Sequence, residues 1–428
     1  MREGLTTLRA WLQPRTKLVV LCILTLFAYA AAISREQALP WGVAALLLAT
    51  VIVGTAWPHW LVRAISVVRS GPTRAEEGDT INFHVDVENH GWLPRFMVEL
   101  VDRLPFVGAA KGSLAIGEQT LGIIGFVPGG GRRNFRMPLL CEKRGFYQLG
   151  PVGLASGFPL GLTEARQGRN AGVQTLTIYP DVFTIIDLPL RGAPSQIHRG
   201  GYLLPEGAGA AEFSGLREYR RGDNPRHVHW PTTARMNELM VREYEPLASA
   251  CIYLALDLGR DANVGKGKQA TFEYAVRIAG SIARHTCGNN LRTRLLSHGA
   301  DWLEIPAGSG EMHYSSILDT LAVIDADGAL PYAKVIEHMA WLVQAGETVV
   351  VFLSEPTERM AETLQALALL RGQRVHLLAI VLDRTSFAGD GQSAGQATSN
   401  PYEAALIELG ATCFHVRCGD DLSRVFNS

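Results

Sequence analysis

Residues 250–258, ACIYLALDL, form a nearly continuous apolar run that contains one charged residue, Asp257, just before its last position. A strand with one solvent-exposed face alternates polar and apolar side chains. A continuous apolar run is instead typical of a strand in a parallel sheet that is buried on both faces. The run therefore predicts a buried parallel strand, and it places Asp257 at the carboxyl edge of the sheet.

Beyond this run, strand-like and helix-like patterns alternate along the chain. This alternation predicts a doubly wound α/β sheet over residues 246–428. A polar, glycine-rich segment at 383–400 lacks apolar periodicity and predicts a flexible loop. The predicted strands cover 291–297, 301–305, 348–353, 375–382 and 412–416, and the predicted helices cover 270–287, 312–324, 332–345, 357–370 and 401–409.

Immediately upstream lies a highly charged segment, residues 213–245, FSGLREYRRGDNPRHVHWPTTARMNELMVREYE, which we call the signature stretch. It holds six arginines and five carboxylates in 33 residues, so a third of it is charged, compared with 19% of the whole chain. A charge run is usually a solvated face. Here the signs alternate and Tyr219, Trp230 and Tyr244 are interspersed, which favours a partly buried network of arginines and carboxylates around aromatic anchors.

Within the signature stretch, residues 222–225, GDNP, predict a turn into a helix with Asp223 as the N-cap. Residues 239–244 predict a strand. Arg220 and Arg226 flank the turn, so we expect a carboxylate held between guanidinium groups.

Two histidines in this stretch, His227 and His229, are spaced to lie on one side of a strand and could bind a metal ion, but the spacing supplies no third ligand. Hydrogen bonding of His229 within the charged network is a structural alternative. Acid/base catalysis by His229 with Asp223 is also chemically possible.

Residues 65–190 show short alternating runs separated by turn residues, which predicts a β-rich, sandwich-like domain. Glycines and prolines are so dense at 141–162 that we expect turns there rather than a regular element. A linker and the signature stretch then fill residues 191–245. The predicted strands of the β-rich domain include 81–87, 96–101, 134–140 and 173–179.

Two uncharged apolar runs, at 18–33 and 38–57, precede this domain. The second would extend for about 30 Å as a helix, the thickness of a bilayer core. We predict a transmembrane hairpin over residues 1–64 rather than a signal peptide, because no small-x-small cleavage site separates the runs. By the positive-inside rule both ends of the chain are expected to face the cytoplasm. The basic residues that set this orientation are Arg2, Arg9, Arg15, Lys17, Arg63, Arg69 and Arg74.

Composition excludes several classes of function. Domains that bind nucleic acid usually carry an excess of positive charge, and the net charge of −1 shows no such excess. The phosphate-binding pattern GxxxxGK[ST] is absent from the sequence, so any ATP chemistry belongs to another protein, and no cofactor is expected. The six cysteines form no CxxC pair and are expected to be reduced packing residues, as suits a cytosolic domain.

The sequence GLREYRRGDNPRHVHWPTTAR, followed by ELMVREYE, resembles the signature of the bacterial family catalogued as domain of unknown function 58. The resemblance covers most of the chain, including the two spans, the RGFYQLGPV segment at 144–152 and the last domain. Members are typically membrane-anchored and are often encoded beside MoxR-type AAA+ ATPases and transglutaminase-like membrane proteins. The resemblance therefore implies a protein partner.

The resemblance also assigns a set of signature residues, to which we add Arg220 of the predicted network. Members commonly carry Asp-Pro-Phe-Gly where this chain has GFPLG at 157–161, so the loop lacks an aspartate. The signature positions are Leu216, Arg217, Tyr219, Gly222, Asp223, Arg226, His229, Trp230, Ala234, Arg235 and Glu243.

The last domain resembles a von Willebrand factor A domain, whose metal site begins Asp-x-Ser-x-Ser after the first strand. Residues 257–261 read DLGRD, so the aspartate is kept and both hydroxyls are missing. Hard cations need several oxygen ligands, and Arg260 adds a repelling charge. Asp257 is therefore expected to be a degenerate remnant of a metal site and not a working ligand.

Two functions follow from these expectations. The first is a non-enzymatic scaffold or adaptor at the plasma membrane, whose cytoplasmic domains bind a protein partner. The second is a membrane-anchored enzyme that acts on an anionic substrate at His229, Asp223 and the neighbouring arginines. An enzyme would expose these side chains in a pocket, whereas mutual saturation of the side chains would remove the basis for the second hypothesis.

Overall fold

The computed structural model describes residues 16–35, 38–106, 118–167, 173–190, 211–219, 228–236, 238–246, 251–356, 358–388 and 401–427. The chain divides into two compact units, Met1–Tyr179 and Pro180–Ser428. Each unit has its own hydrophobic cores, which are described in turn below.

The described part of unit 1 opens with two helices, α1 (Thr16–Arg35) and α2 (Ala38–Val62), that contact each other. Both are long and apolar enough to cross a membrane by length and composition. Large apolar side chains such as Leu26, Phe27 and Leu46 are exposed along them, as lipid-facing residues would be. The predicted spans at 18–33 and 38–57 lie inside these helices, which are compatible with a two-span membrane protein.

The described strands of unit 1 form three small sheets with the strand orders β1-β3-β6, β5-β4-β8-β9 and β2-β10-β7. All pairs are antiparallel except β2 with β10. The strands are β1 (Ile65–Ser70), β2 (Arg74–Glu76), β3 (Thr80–Asn89), β4 (Arg95–Arg103), β5 (Glu118–Val127), β6 (Arg132–Leu140), β7 (Gly145–Leu149), β8 (Gly153–Ser156), β9 (Ala165–Gln167) and β10 (Gln174–Tyr179).

The first two of these sheets share a core. Val85 and Val87 of β3 belong to the same buried cluster as Val98 of β4 and Leu154 of β8, so the two sheets face each other. The alternation of buried and exposed residues along β3 is the pattern expected of such a sheet. The expectation of turns alone at 141–162 is wrong, because β7 and β8 form there by pairing with β10 and β4.

Unit 2 is built on a six-stranded sheet with the order β15-β14-β13-β16-β17-β18, parallel except for the edge strand β15. The strands are β13 (Cys251–Leu256), β14 (Arg292–His298), β15 (Trp302–Gly308), β16 (Thr348–Leu353), β17 (His376–Leu382) and β18 (Thr412–Val416). The helices are α4 (Thr271–Gly288), α5 (Glu311–Val323), α6 (Tyr332–Ala340), α7 (Met360–Gly372), α8 (Arg384–Phe387), α9 (Pro401–Glu408) and α10 (Leu422–Asn427).

The sheet of unit 2 is covered on both faces. Leu254 and Phe352 belong to one buried cluster, which includes residues of α4, while Ala255 and Val351 belong to a second cluster, which includes residues of α6 and α7. Every residue of β13 and of β16 is buried, as the continuous apolar runs predict.

Three details of unit 2 differ from the sequence predictions. Helix α6 ends at Ala340 instead of 345, because the chain turns there to reach Gly346, whose φ is +87°. The predicted loop at 383–400 begins with the one-turn helix α8, and α10 has no predicted counterpart. Most of that loop, 389–400, lies outside the described residues.

The signature stretch belongs to unit 2 and contributes two paired strands, β11 (Ala211–Glu218) and β12 (Met240–Pro246), with helix α3 (Trp230–Met236) between them in the sequence. The predicted strand at 239–244 corresponds to β12. The predicted helix start at 222–225 lies outside the described residues, and α3 begins five residues later.

Candidate functional site

At the carboxyl edge of the six-stranded sheet, the pairing of β13 with β16 ends before the strands do. These strands pair from Ile252 and Thr348 as far as Ala255 and Val351 and then separate. Strand order reverses at this pair, since β14 and β15 follow on one side and β17 and β18 on the other. Ligands of open α/β sheets usually bind at such a reversal.

One buried side chain, Tyr332 at the start of α6, lies between the two strands. Its hydroxyl donates to the carbonyl of Ala255 at 2.5 Å and accepts from the amide of Phe352 at 3.1 Å. Both contacts satisfy backbone groups that lie where the direct pairing of β13 and β16 has ended. The tyrosine hydroxyl therefore bridges the two strands and separates them where their direct pairing ends.

Asp257 follows β13 and is buried at the base of this edge. Its Oδ1 accepts a hydrogen bond from the amide of Gly259 at 2.9 Å, while Oδ2 is buried without a hydrogen-bond partner in the described structure. Burial raises the pKa of Asp257 to about 7, and the nearby charge of Glu355 acts in the same direction. The Gly259 hydrogen bond and the charges of Arg384 and Arg359 oppose this rise in pKa.

Glu355 follows β16 and is the second buried carboxyl group of the edge. Its Oε1 accepts from the amide of Tyr332 at 3.4 Å, and its Oε2 accepts a short hydrogen bond from the hydroxyl of Thr363 in α7. Burial raises the pKa of Glu355 above its usual value. The carboxyl group thus joins the start of α6 to α7 across the end of β16.

Two arginines close the outer rim of the edge. Arg384, the first residue of α8, donates through Nη1 to the carbonyls of Asp261 at 2.8 Å and Ala262 at 3.2 Å, and also to the carbonyl of Ser354. Arg359 donates through Nη2 to Oδ2 of Asp261 at 2.8 Å. The guanidinium groups therefore tie the loop after β13 to the residues after β16.

The donor set at this edge does not fit a hard divalent cation. Gly259 and Asp261 stand where the resemblance expects hydroxyl ligands, and the Asp261 carboxylate is already paired with Arg359. The described residues include no group of three or more His, Cys, Asp or Glu side chains placed to hold a metal ion. The arrangement instead offers a buried carboxyl group with one unpaired oxygen, which can exchange a proton near neutral pH.

Among the described signature residues, His229 lies at the start of α3. The amide of His229 donates to the carbonyl of Met240 at 2.8 Å, and its Nδ1 lies 2.8 Å from the hydroxyl of Thr232. The hydroxyl of Thr233 accepts from the amide of Met240 at 3.1 Å. These bonds attach the start of α3 to β12.

Other described signature residues lie on α3 and on or next to the paired strands β11 and β12. Trp230 and Arg235 are exposed on α3, and the amide of Tyr219 donates to the carbonyl of Leu239 at 2.7 Å. In the backbone pairing of β11 with β12, Arg217 lies opposite Val241 and Glu243 lies opposite Gly215. Outside the described residues are Arg220, Gly222, Asp223, Arg226 and His227.

Sequence reasoning placed Asp257 at the edge of the sheet and missed the groups around it. Tyr332, Glu355 and Arg384 come from three other parts of the chain. The one local signal is the pair Ser354-Glu355, which follows the buried run of β16 directly, as Asp257 follows that of β13. Polar residues in that position lie at the same edge of a parallel sheet.

Comparison with known proteins places part of this chain near a known family. The family described as "Protein of unknown function DUF58" matches residues 215–386, from β11 to α8. This match confirms, over those residues, the resemblance inferred from the signature stretch.

The chain is also similar to bacterial proteins. It is 28% identical to "Uncharacterized protein YeaD" of Bacillus subtilis (strain 168) over 166 residues, which are 38% of each protein. It is 28% identical to "Uncharacterized protein Mb1516" of Mycobacterium bovis over 109 residues, which are 25% of this chain and 34% of that protein. The similarity thus spans well under half of either relative.

Among solved structures, a GH20 exo-β-N-acetylglucosaminidase of Vibrio harveyi aligns with 74% of this chain and 57% of its own, at 7% identity and a TM-score of 0.19. An alkylpurine DNA glycosylase of Pseudomonas fluorescens aligns with 32% of this chain and 38% of its own, at 11% identity and a TM-score of 0.18. Scores this low carry no conclusion about fold or activity.

Proposed function

We propose that this protein is a non-enzymatic scaffold or adaptor of the bacterial plasma membrane. The hairpin of α1 and α2 anchors it with both ends in the cytoplasm, and the signature stretch binds a protein partner. The partner that the family resemblance favours is a MoxR-type AAA+ ATPase, with a transglutaminase-like membrane protein as a further component of the system.

The observation that carries the proposal is the exposure of α3. None of its seven residues is buried, and the indole of Trp230 is 66% exposed. Met236 and Leu239 add two further exposed apolar side chains, with Arg235 beside them. Tryptophan and arginine are enriched where protein interfaces gain most of their binding energy. The exposed residues on and beside α3 are therefore of the types found at partner-binding sites.

The hydrogen bonds of His229 support a structural role for this residue. Its backbone amide bonds to Met240 of β12, and its ring contacts the hydroxyl of Thr232 in the first turn of α3. A histidine engaged in this way orients the exposed helix and is not needed as an acid or base.

The strand order of unit 2 supports a von Willebrand factor A-like assignment. That assignment rests on the central position of β13, the antiparallel edge strand β15 and the acidic residue after β13. In this proposal the carboxyl edge is a structural junction, because arginine side chains occupy the rim that a metal-dependent domain would leave open.

Co-purification from bacterial membranes tests the proposal. The tagged full-length protein should retain the AAA+ ATPase, and Trp230→Ala should reduce the retained ATPase by about tenfold or more, as expected for a central interface tryptophan. Trp341→Ala is the matched control, since this indole is 89% exposed but lies at the end of α6.

Equal retention by the two variants would contradict a partner site on α3. Absence of the ATPase from the unaltered protein's eluate would contradict the assigned partner. Thermal melting of each variant in detergent should match that of the unaltered protein, because both side chains are exposed.

A further inference from the structure

The loop between β8 and β9 packs directly against the apolar helix α2. The hydroxyl of Thr163 donates to the carbonyl of Gly54 at 3.1 Å. A Cβ atom on Gly54 would lie 2.4 Å from Cδ1 of Leu162 and 3.3 Å from Cδ1 of Leu160, so a larger residue here would displace these leucine side chains. Strands β8 and β9, which flank the loop, contact the same helix.

The position of Gly54 along α2 sets the depth of this contact. Gly54 lies eight residues before the helix ends at Val62, which is about 12 Å along the helix axis. It falls inside the apolar run at 38–57, ahead of Trp57 and Trp60, whose rings lie 5.2 Å apart. Tryptophans of this kind mark the headgroup level of a bilayer. The loop therefore contacts α2 within its apolar part, before the tryptophans that mark the headgroup region.

The side chains of the loop match this depth. Phe158 is 38% exposed and Leu160 is 44% exposed, and no charged residue occurs between positions 145 and 163. The hydroxyl of Ser156 donates to the carbonyl of Met97 at 3.1 Å and accepts from the amide of Phe158 at 3.4 Å, which brings a third exposed apolar residue to the same end of β8.

From these contacts we infer that residues 157–163 insert Phe158 and Leu160 into the headgroup and upper acyl region of the leaflet from which α2 emerges. The inference rests on the proposed membrane anchoring by α1 and α2. Apolar side chains at this boundary gain free energy by leaving water. The loop would be a third membrane contact of unit 1 and would fix the β-sheets relative to the bilayer surface.

The chain supplies a closely matched control position, Leu140. This leucine is 42% exposed, nearly the same as Leu160, and lies opposite Thr80 at the far end of β3. The near end of β3 adjoins the end of α2, since the amide of His90 donates to the carbonyl of Ala64 at 2.8 Å. The length of β3 separates the two ends by about 30 Å.

Site-specific fluorescence in lipid vesicles tests the inference. The full chain, with Cys22, Cys413 and Cys418 replaced by serine, receives one new cysteine by Leu160→Cys, Leu140→Cys or Leu48→Cys and is labelled with an environment-sensitive dye. Vesicles of phosphatidylcholine and phosphatidylglycerol carry lipids with a nitroxide quencher in the acyl chain. Leu48 reports on the middle of α2, where its side chain is exposed. Phe158→Cys provides a second probe of the loop.

Dye at position 160 should be blue-shifted and should lose about half or more of its emission to the nitroxide quencher. Dye at position 140 should lose almost none. Equal, weak quenching at 160, 158 and 140, together with strong quenching at 48, would overturn the loop inference and leave the anchoring intact. Absence of quenching at position 48 would overturn the anchoring, and the loop inference with it.

Discussion

Replacing Asp257 by asparagine should change the pH dependence of stability of unit 2. The folded protein holds the proton of Asp257 up to a pKa of about 7, whereas an aspartate in an unfolded chain loses it near its ordinary pKa of 3.8. Because the folded state binds the proton more tightly, the stabilisation is complete below the unfolded pKa and is lost as pH rises to about 7. A difference of about three pKa units corresponds to about 4 kcal/mol of unfolding free energy.

About 3 kcal/mol of this change falls between pH 5 and pH 8, the range open to measurement. Asparagine is neutral throughout and keeps an oxygen that can accept from the amide of Gly259, so Asp257→Asn should lack this loss. For a unit of this size the melting temperature of the variant, relative to the unaltered protein, should rise by roughly 6–12 °C between pH 5 and pH 8.

The assay is thermal unfolding of the full chain in detergent at several pH values, followed by tryptophan fluorescence. Asp261→Asn is the control, because this side chain is 61% exposed and its pair with Arg359 is worth at most about 1 kcal/mol. The control curve should run parallel to that of the unaltered protein. A parallel curve for Asp257→Asn would refute the reasoning, since it would mean that the carboxylate is ionised across this range.

Three further substitutions test the contacts described above. Tyr332→Phe leaves a buried carbonyl and a buried amide without their partner and should lower the free energy of unfolding by about 1–3 kcal/mol in urea titrations; an unchanged midpoint would contradict the strand-separating role. Arg384→Met removes the donor to three backbone carbonyls and should lower the free energy of unfolding by about 1–3 kcal/mol in the same titrations. A gain in stability would contradict the inference that Arg384 ties the loop after β13 to the residues after β16. Thr233→Val should accelerate amide hydrogen exchange at Met240, because the hydroxyl that accepts from this amide is lost, and unchanged exchange would show that α3 is held by other contacts.

Elements that depend on local sequence could be predicted well. The run at 250–258 corresponds to β13, and the predicted strand at 348–353 has the same bounds as β16, because a buried parallel strand must be apolar on both faces. The apolar runs of the hairpin likewise fall within α1 and α2. In each case the pattern within a short window carries the information.

Elements that depend on distant partners could not be predicted. Strands β7 and β8 form in a segment rich in glycine and proline because β10 and β4 supply their hydrogen bonds, which outweigh poor strand propensity. Helix α8 forms at the start of a polar segment because Asp383 caps it and Phe387 packs against Tyr274, with ring centroids 4.9 Å apart.

The candidate site at the sheet edge likewise depends on contacts between residues that are distant in the sequence. The hydroxyl of Tyr332 bonds to a carbonyl 77 residues away, and Arg384 reaches a carbonyl 123 residues away. No pattern within the signature stretch points to these partners. Only the acidic residues that follow two buried strands, Asp257 and Glu355, could have been selected from the sequence.

Photo-crosslinking at position 230 tests the central claim, that the exposed face of α3 binds a protein partner at the membrane. A benzophenone amino acid in place of Trp230, irradiated in native membranes, should crosslink to an AAA+ ATPase subunit. The same amino acid in place of Trp341 should not form this crosslink. Absence of any protein crosslink at position 230, or the same products at both positions, would contradict the claim.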